Sequence, residues 1–346
     1  MKNKIKILLA SLLVIPCMLM FAGCSGNPAK QTLSLGEYAT YAKTALDNHY
    51  LEIKSKSFTF ETKISMVKTG LDEVEYYANE GDTEFTKGVF ESEWTITGSE
   101  KVVVEFKGEG DYNIQVTTVN YECDKHVEAD TDTGYGYKTE NSVISREKVQ
   151  TLVKTNETIK LYYSLVEYEN DVKNNEAFEQ KVYTFSADAA EALTQYNTVI
   201  DTFFTDINDN VFMKANFFNS LTAVGALGSN FVYDLDLYKD DKDVVADVNF
   251  AMLQDLTTDE DPMTMVMNIG ATSVLKDGYA SSQTEKLNVV SGVEGEANSY
   301  NIEMNVSLNV TYSADTITAP DATDWTQNVG YVSLRISEYE SVTEMI

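Results

Sequence analysis

YNIEMNVSLNVTY, residues 300–312, alternates apolar and polar side chains over its whole length. Alternation with a period of two predicts a β-strand that is buried on one face only. The same pattern returns in shorter segments that begin near residues 57, 102, 112, 159, 231, 244, 263 and 332. The acidic stretches at residues 70–84 and 122–134 are rich in turn-forming residues, so we expect loops there. Together these patterns predict one large antiparallel sheet.

Three other segments have apolar residues at helical spacing. The first begins at a capping box of Ser34 and Glu37, and the second begins with Ser186 as its cap. The third covers residues 211–227, where apolar side chains are spread around much of the circumference. Such a helix needs cover on several sides, and the buried face of the sheet is the natural partner for all three helices.

The order of elements is helix then strands, twice. Residues 56–64 align weakly with residues 229–237, and each segment directly follows a predicted helix. We therefore predict a single domain over residues 32–346, made of two similar halves at about 32–185 and 186–346. The predicted fold class is α+β: a large, curved, half-barrel-like antiparallel sheet packed on about three helices.

The first 23 residues have the pattern of a secretion signal, with three lysines followed by an apolar run. The segment Phe21-Ala22-Gly23-Cys24 resembles the lipobox of bacterial lipoproteins. The resemblance implies a signal peptide over residues 1–23, acylation of Cys24 and a stable membrane anchor. Residues 24–31 then form a polar tether. We expect an extracytoplasmic protein held on the cell membrane through Cys24.

The order of elements also resembles that of the envelope lipid carriers, a superfamily that includes LolA-like lipoprotein carriers and mycobacterial lipid-ferrying lipoproteins. The resemblance rests on the lipobox, the N-terminal helix and the strand Ser57-Phe58-Thr59-Phe60-Glu61 that follows it. In those families a half-barrel sheet cradles helices and holds acyl chains between the two layers. The resemblance implies a lipid-like ligand between sheet and helices and assigns no individual site residue.

Bulky apolar side chains of the second half are the candidate lining of such a ligand site. Methionine is pliable and adapts to varied apolar ligands, and aromatic rings from the helices would complete the wall. The candidates are Phe203, Phe204, Phe217, Phe218, Met252, Met265, Met267 and Met304. A solid core filled by the same residues is the alternative, because a core and a cavity wall share one composition.

The charge balance excludes nucleic acid as a partner. The chain carries 55 acidic and 26 basic side chains, and Arg146 and Arg335 are its arginines. Removal of the first 23 residues changes the formal net charge from −29 to −32, because three lysines and no acid are lost. Phosphate binding needs clustered basic side chains, which this sequence does not provide. The same charge repels an anionic membrane surface apart from the anchor.

The search for catalytic chemistry gives no site. A Ser-His-Asp or Cys-His arrangement would have to use His49 or His126, the two histidines of the chain. Cys123 and His126 have a spacing seen in metal sites, but no second Cys or His cluster supplies further ligands. Acidic loops at 130–134 and 206–210 lack the full calcium-loop pattern. We expect no enzyme, no cofactor and no bound metal.

Two functions remain open at this point. The first is a membrane-anchored lipoprotein that binds an apolar or amphiphilic ligand between sheet and helices. The second is a surface module with a solid core that binds another envelope protein or a polymer. For the second function, the candidate contact residues are Tyr76, Tyr77, Tyr135 and Tyr137 in the polar loops.

Overall fold

The computed structural model describes residues 30–210, 231–255, 264–292, 296–330 and 334. Helix α1 is Leu35–Glu52 and helix α2 is Ala189–Asn210. The strands are β1 (Lys30–Thr32), β2 (Phe58–Tyr76), β3 (Thr86–Gly108), β4 (Asp111–Ala129), β5 (Tyr137–Lys154), β6 (Ile159–Glu169), β7 (Val172–Lys173), β8 (Glu179–Thr184), β9 (Phe231–Asp240), β10 (Asp243–Asp255), β11 (Thr264–Lys276), β12 (Tyr279–Ser291), β13 (Ser299–Thr311) and β14 (Thr326–Val329).

All fourteen strands belong to one sheet, in the order β1-β9-β10-β11-β12-β13-β2-β3-β4-β5-β6-β8-β14, with β7 paired to β6. The pairs are antiparallel except β14, which lies parallel to β8. Strand β13 pairs with β2, so the strands of both predicted halves form one continuous sheet. The strand predicted at residues 300–312 is confirmed as β13, near the middle of that sheet.

The predicted α+β fold with a sheet packed on about three helices is wrong. The described residues are mostly strand, and two helices lie among them. The cause is strand length: β2 to β5 have 18 to 23 residues each, against about 5 or 6 in an average strand. A sheet of this area dominates the architecture. The third helix, predicted at residues 211–227, lies outside the described residues.

Much of the two acidic stretches predicted as loops is strand. Residues 70–76 continue β2, and residues 122–129 continue β4. Ion pairs across the hairpins accommodate these charges, since Lys87 contacts Glu75 at 3.1 Å and Lys138 contacts Glu128 at 3.2 Å. Opposite charges on adjacent strands stabilise a sheet, so a polar sequence continues a long hairpin here.

Helix α1 begins as predicted. The backbone N–H of Glu37 donates to Ser34 Oγ at 3.3 Å, and the N–H of Ser34 donates to Glu37 Oε2 at 2.8 Å, which confirms the capping box. The Ser34 hydroxyl, which donates to Glu37 Oε2 at 2.7 Å, lowers the pKa of Glu37 most, and the Ser34 N–H lowers it further. The buried face of α1 packs on strands β9 to β12, where Tyr38 and Ala42 meet Leu237.

Helix α2 is capped by Asp188 rather than by Ser186. The backbone N–H groups of Ala190 and Glu191 donate to Asp188 Oδ1 at 2.9 and 3.1 Å. A carboxylate at this position also interacts favourably with the helix dipole. The helix packs on strands of the first run, and the Tyr196 hydroxyl accepts the N–H of Tyr112 at 2.7 Å.

Both helices lie on the same face of the sheet, which we call the helix side. It is the face of Phe60, Val102 and Ile114, and the register continues it through β13 to Ala246 on β10. Each helix covers the run of strands that does not directly follow it in the sequence. Neither described helix is long and apolar enough to cross a membrane.

The opposite face is covered in part by the segment that follows β13. Ile317 is buried there, and its backbone N–H donates to Glu105 Oε2 at 3.1 Å. The ring of Trp325 contacts that of Tyr162, with centroids 6.2 Å apart. Strand β14 then extends the sheet beyond β8.

Candidate functional site

Four of the predicted lining residues meet on the helix side of the sheet. Met252 lies opposite Met267 in the β10–β11 register, and Met304 lies opposite Met66 in the β13–β2 register. Met265 and Met267 are buried, at 2% and 1% exposure. We call this group the methionine cluster; it consists of Met66, Met252, Met265, Met267, Met304, Trp94, Ile96, Ile269, Leu287, Val289, Tyr300 and Ile302. All of these residues belong to strands.

The two described phenylalanines of the prediction lie in a different cluster, under α2. Phe203 and Phe204 are completely buried, and their ring centroids are 5.5 Å apart. Phe204 also meets the ring of Tyr112 at 5.1 Å, edge to face. Both rings belong to the apolar cluster that α2 forms with buried side chains of β2 to β6 and β13, which we call the α2 core. Phe217 and Phe218 lie outside the described residues.

A row of polar side chains lies between the methionine cluster and the α2 core, and it is interrupted on β13 by the apolar Val306 and Leu308. On β2 the helix-side order is Phe60, Thr62, Ile64, Met66, and the register places Glu100 of β3 opposite Thr62. We call this row the polar seam; its members are Thr62, Glu100, Thr118, Lys148, Gln150, Gln283 and Glu285. Thr62, Glu100, Thr118, Gln150 and Gln283 are all less than 9% exposed.

Burial changes the acid–base properties of the seam. Burial lowers the pKa of Lys148, and the nearby charge of Glu100 opposes that shift. Burial raises the pKa of Glu285, although its carboxylate accepts the amide N–H of Gln283 at 2.7 Å. An ionised group in a buried environment lowers the free energy of unfolding unless it is paired with a partner. The seam is therefore a largely buried polar band on the helix side, and Arg146 and Glu167 continue the polar surface on β5 and β6.

Two seam side chains have buried oxygen atoms that accept or donate no hydrogen bond. These atoms are Thr62 Oγ1 and Gln150 Oε1, and Ser291 Oγ beside Met265 is a third on the same face. Nearly all buried polar atoms in native proteins have a partner, and leaving one without it costs about 1–3 kcal/mol. An ordered water or a ligand atom beside these positions would supply the missing hydrogen-bond partner.

The predicted lining did not include the seam, although the sequence carries a signal for it. Thr62 occupies the inward phase of β2, where Phe58, Phe60 and Met66 are apolar, and Glu100 does the same on β3. A polar residue in the buried phase of a strand is an exception that needs an explanation. Position in the alternation therefore distinguishes these two residues by sequence pattern alone.

The four tyrosines of the alternative function lie at one end of the long hairpins. Tyr77 stacks on Phe85 with ring centroids 4.4 Å apart, and Tyr137 contacts Phe90 at 4.5 Å and Tyr76 at 5.1 Å. Phe85 is 58% exposed and Tyr137 is 50% exposed. We call this group the aromatic tip; its members are Tyr76, Tyr77, Phe85, Phe90, Tyr135 and Tyr137.

The aromatic tip lies far from the N-terminal strand. Lys30 pairs with Asp240 beside the turn at residues 241–242, at the end of the sheet that also holds the turn at 109–110. Strand β2 runs from that end to the tip, and its 19 residues span about 60 Å at 3.3 Å per residue. Lys30 and Gln31, the last residues of the predicted tether, belong to β1.

Cys123 and His126 do not lie together as metal ligands. Cys123 and His126 are three residues apart on β4, so their side chains point to opposite faces of the sheet. His126 Nδ1 lies 3.1 Å from Asp124 Oδ1, and Cys123 Sγ lies 3.7 Å from Asn141 Oδ1. Within the described ranges no group of three or more metal-binding side chains occurs. The side chain of His49, on α1, is outside the described set.

Comparison with known proteins identifies no family. No protein-family model and no curated protein matches the chain. The translocator domain of the autotransporter NalP from Neisseria meningitidis aligns at 7% identity, covering 79% of this chain and 96% of that one, with a TM-score of 0.15. The Salmonella injectisome secretin InvG aligns at 9% identity, covering 92% and 83%, with a TM-score of 0.13. These scores are too low to carry any argument.

Proposed function

We propose that this protein is a membrane-anchored extracytoplasmic lipoprotein that binds an apolar or amphiphilic, lipid-like ligand on the helix side of its sheet. The proposed activity is binding without catalysis. The observation that carries the proposal is the methionine cluster, which collects every predicted lining methionine on one face, beside buried polar atoms that lack partners.

The contrast between the clusters indicates where the ligand binds. Residues of α1 and α2 pack into two of the three apolar clusters. The methionine cluster contains no residue of either helix among the described residues. Methionine side chains are flexible and polarisable, so a surface built from five of them adapts to an acyl chain at low cost. We assign the ligand chain to the partly exposed members of the methionine cluster, such as Met252 and Met304.

The polar seam supports an amphiphile rather than a pure hydrocarbon. Thr62 and Met66 both face the helix side of β2, separated along that face by Ile64, so polar and apolar contacts are available within one ligand length. Thr62 Oγ1 and Gln150 Oε1 gain hydrogen bonds if a polar group lies along the seam. A ligand with one polar and one apolar end fits this pairing.

The position of Cys24 in the sequence supports the proposed location. Cys24 precedes Lys30 by six residues, and Lys30 lies at the end of the sheet opposite the aromatic tip. Acylation at Cys24 would attach that end of the domain to the membrane, with the tip directed outward. The net charge of −32 after signal removal would keep the rest of the acidic domain off an anionic surface.

The test is to purify the full chain under native conditions and compare its native and denaturing mass spectra with an organic extract. Acyl chains bound covalently at Cys24 persist on denaturation, whereas a non-covalent ligand is lost. The proposal expects a stoichiometric mass that disappears on denaturation. The variant Met304→Gln, in the methionine cluster, should reduce the occupancy of the ligand. Leu235→Gln, in the apolar cluster beneath α1, is the matched control. A ligand-free wild-type protein would contradict the proposal.

A further inference from the structure

We propose that the aromatic tip is a docking surface for a second protein that presents basic side chains around an apolar one. This inference is independent of the ligand proposed above, because the tip and the methionine cluster share no residue. It rests on three observations: a fixed set of exposed rings, two loops joined by a hydrogen bond, and the charge around them.

The rings of the tip are held in place by close packing. An added Cβ at Gly88 would lie 2.5 Å from the Phe90 ring and 3.2 Å from the Tyr76 ring, so the absence of a side chain lets both rings lie over the backbone. Tyr137 then packs on both of these rings. Exposed aromatic groups held in one arrangement lose little entropy on binding, which suits them to act as anchors.

The loops that carry the rings are joined. The backbone N–H of Gly136 donates to the carbonyl of Tyr77 at 2.6 Å, which connects the β4–β5 loop to the end of β2. Within the β4–β5 loop, Asp130 Oδ1 accepts the N–H of Asp132 at 3.0 Å and that of Thr133 at 3.3 Å. Two hairpins therefore present one composite surface.

The charge of the tip determines the class of partner. The two loops carry Glu80, Asp82, Glu84, Asp130 and Asp132. The neighbouring lysines are engaged: Lys87 contacts Glu73 and Glu75, and Lys138 contacts Glu128 and Glu140. An acidic rim around aromatic faces attracts lysine and arginine, which also bind to the ring faces directly. Anionic lipid and anionic polymer are repelled by the same rim.

The experiment measures binding to the full chain by isothermal titration calorimetry. The probe is a short synthetic peptide of alternating lysine and tryptophan, with two control peptides that replace lysine by glutamate or tryptophan by serine. The test variant is Phe85→Ser combined with Tyr137→Ser, which changes exposed side chains alone. The matched control is Tyr168→Ser, since Tyr168 is 42% exposed and lies on β6, outside the tip.

The proposal expects the lysine–tryptophan peptide to bind the wild type and Tyr168→Ser equally. The double variant should bind it about tenfold more weakly, because aromatic anchors dominate such interfaces. Asp82→Asn with Asp132→Asn should weaken binding and reduce its salt dependence. Equal binding to all variants would show attraction by the overall charge and overturn the proposal. No binding of this peptide, or preferential binding of anionic vesicles or cell-wall glycan, would overturn it as well.

Discussion

Thr62→Val tests the polar seam at a single atom. Thr62 is 1% exposed and its Oγ1 makes no hydrogen bond. Burying the hydroxyl therefore costs desolvation free energy that no hydrogen bond offsets. Valine has nearly the same shape and no polar atom. If the cost is at the lower end of the usual 1–3 kcal/mol, the ligand-free variant should gain about 1 kcal/mol in free energy of unfolding. Ligand affinity should fall about two- to tenfold, since one hydrogen bond contributes about 0.5–1.5 kcal/mol.

Thr151→Val is the matched control. Thr151 is also 1% exposed, but it lies on the opposite face of the sheet and its Oγ1 accepts the amide of Gln115 at 3.2 Å. Removing the Thr151 hydroxyl should destabilise the protein by about 1–2 kcal/mol and leave ligand affinity unchanged. Urea denaturation of delipidated protein measures the first quantity, and lipid occupancy in native mass spectra measures the second. If Thr62→Val destabilises the delipidated protein as Thr151→Val does, the Thr62 hydroxyl is structural and does not mark a ligand site.

Three further predictions address the anchor, the tip and the seam. Cys24→Ser should abolish acylation and membrane association, measured by mass spectrometry and fractionation; an acylated variant would contradict the assignment. Gly88→Ala should displace the Phe90 ring and change the near-ultraviolet circular dichroism with less than about 0.5 kcal/mol of destabilisation; an unchanged spectrum would contradict close packing of that ring on the backbone. Burial raises the pKa of Glu285 in the folded state, so the wild type loses stability as pH rises through the unfolded value near 4.5. Glu285→Gln should therefore raise the melting temperature above that of the wild type by more at pH 7 than at pH 4. An equal rise at both pH values would contradict this prediction.

The strands with regular alternation were predictable from sequence. Apolar and polar side chains alternate along β13 and along the first part of β2, where Thr62 is the one polar residue in the apolar phase. Both segments are strands in the structure. The capping box of α1 was predictable for a similar reason, because its two hydrogen bonds are local. Local periodicity and local hydrogen bonding identify an element without any knowledge of its neighbours.

Two long strands that escaped prediction carry part of the polar seam. β5 has Lys148 and Gln150 in its inward phase, and β12 has Gln283 and Glu285. These residues interrupt the apolar alternation, so the sequence pattern predicts neither segment as a strand. The polar residues that make β5 and β12 hard to predict from sequence are thus the same residues that form part of the candidate site.

The extent of the sheet was not predictable from local pattern. Whether residues 70–76 and 122–129 form loops or strands depends on partners across the hairpin, such as Lys87 for Glu75. The pairing of β13 with β2 joins segments more than 200 residues apart, and no local signal specifies it. The predicted lining methionines lie together because they share one phase of neighbouring strands, whereas Phe203 and Phe204 lie on a helix that packs elsewhere.

Binding of a lipid-like ligand on the helix side of the sheet is tested most directly by mass. The native mass of the full chain is compared with its mass after denaturation. We predict a non-covalent lipid at a ratio of about one per chain, reduced in Met304→Gln and retained in Leu235→Gln. A wild-type protein of identical mass under both conditions, with no stabilisation on addition of lipid, would contradict the proposed function.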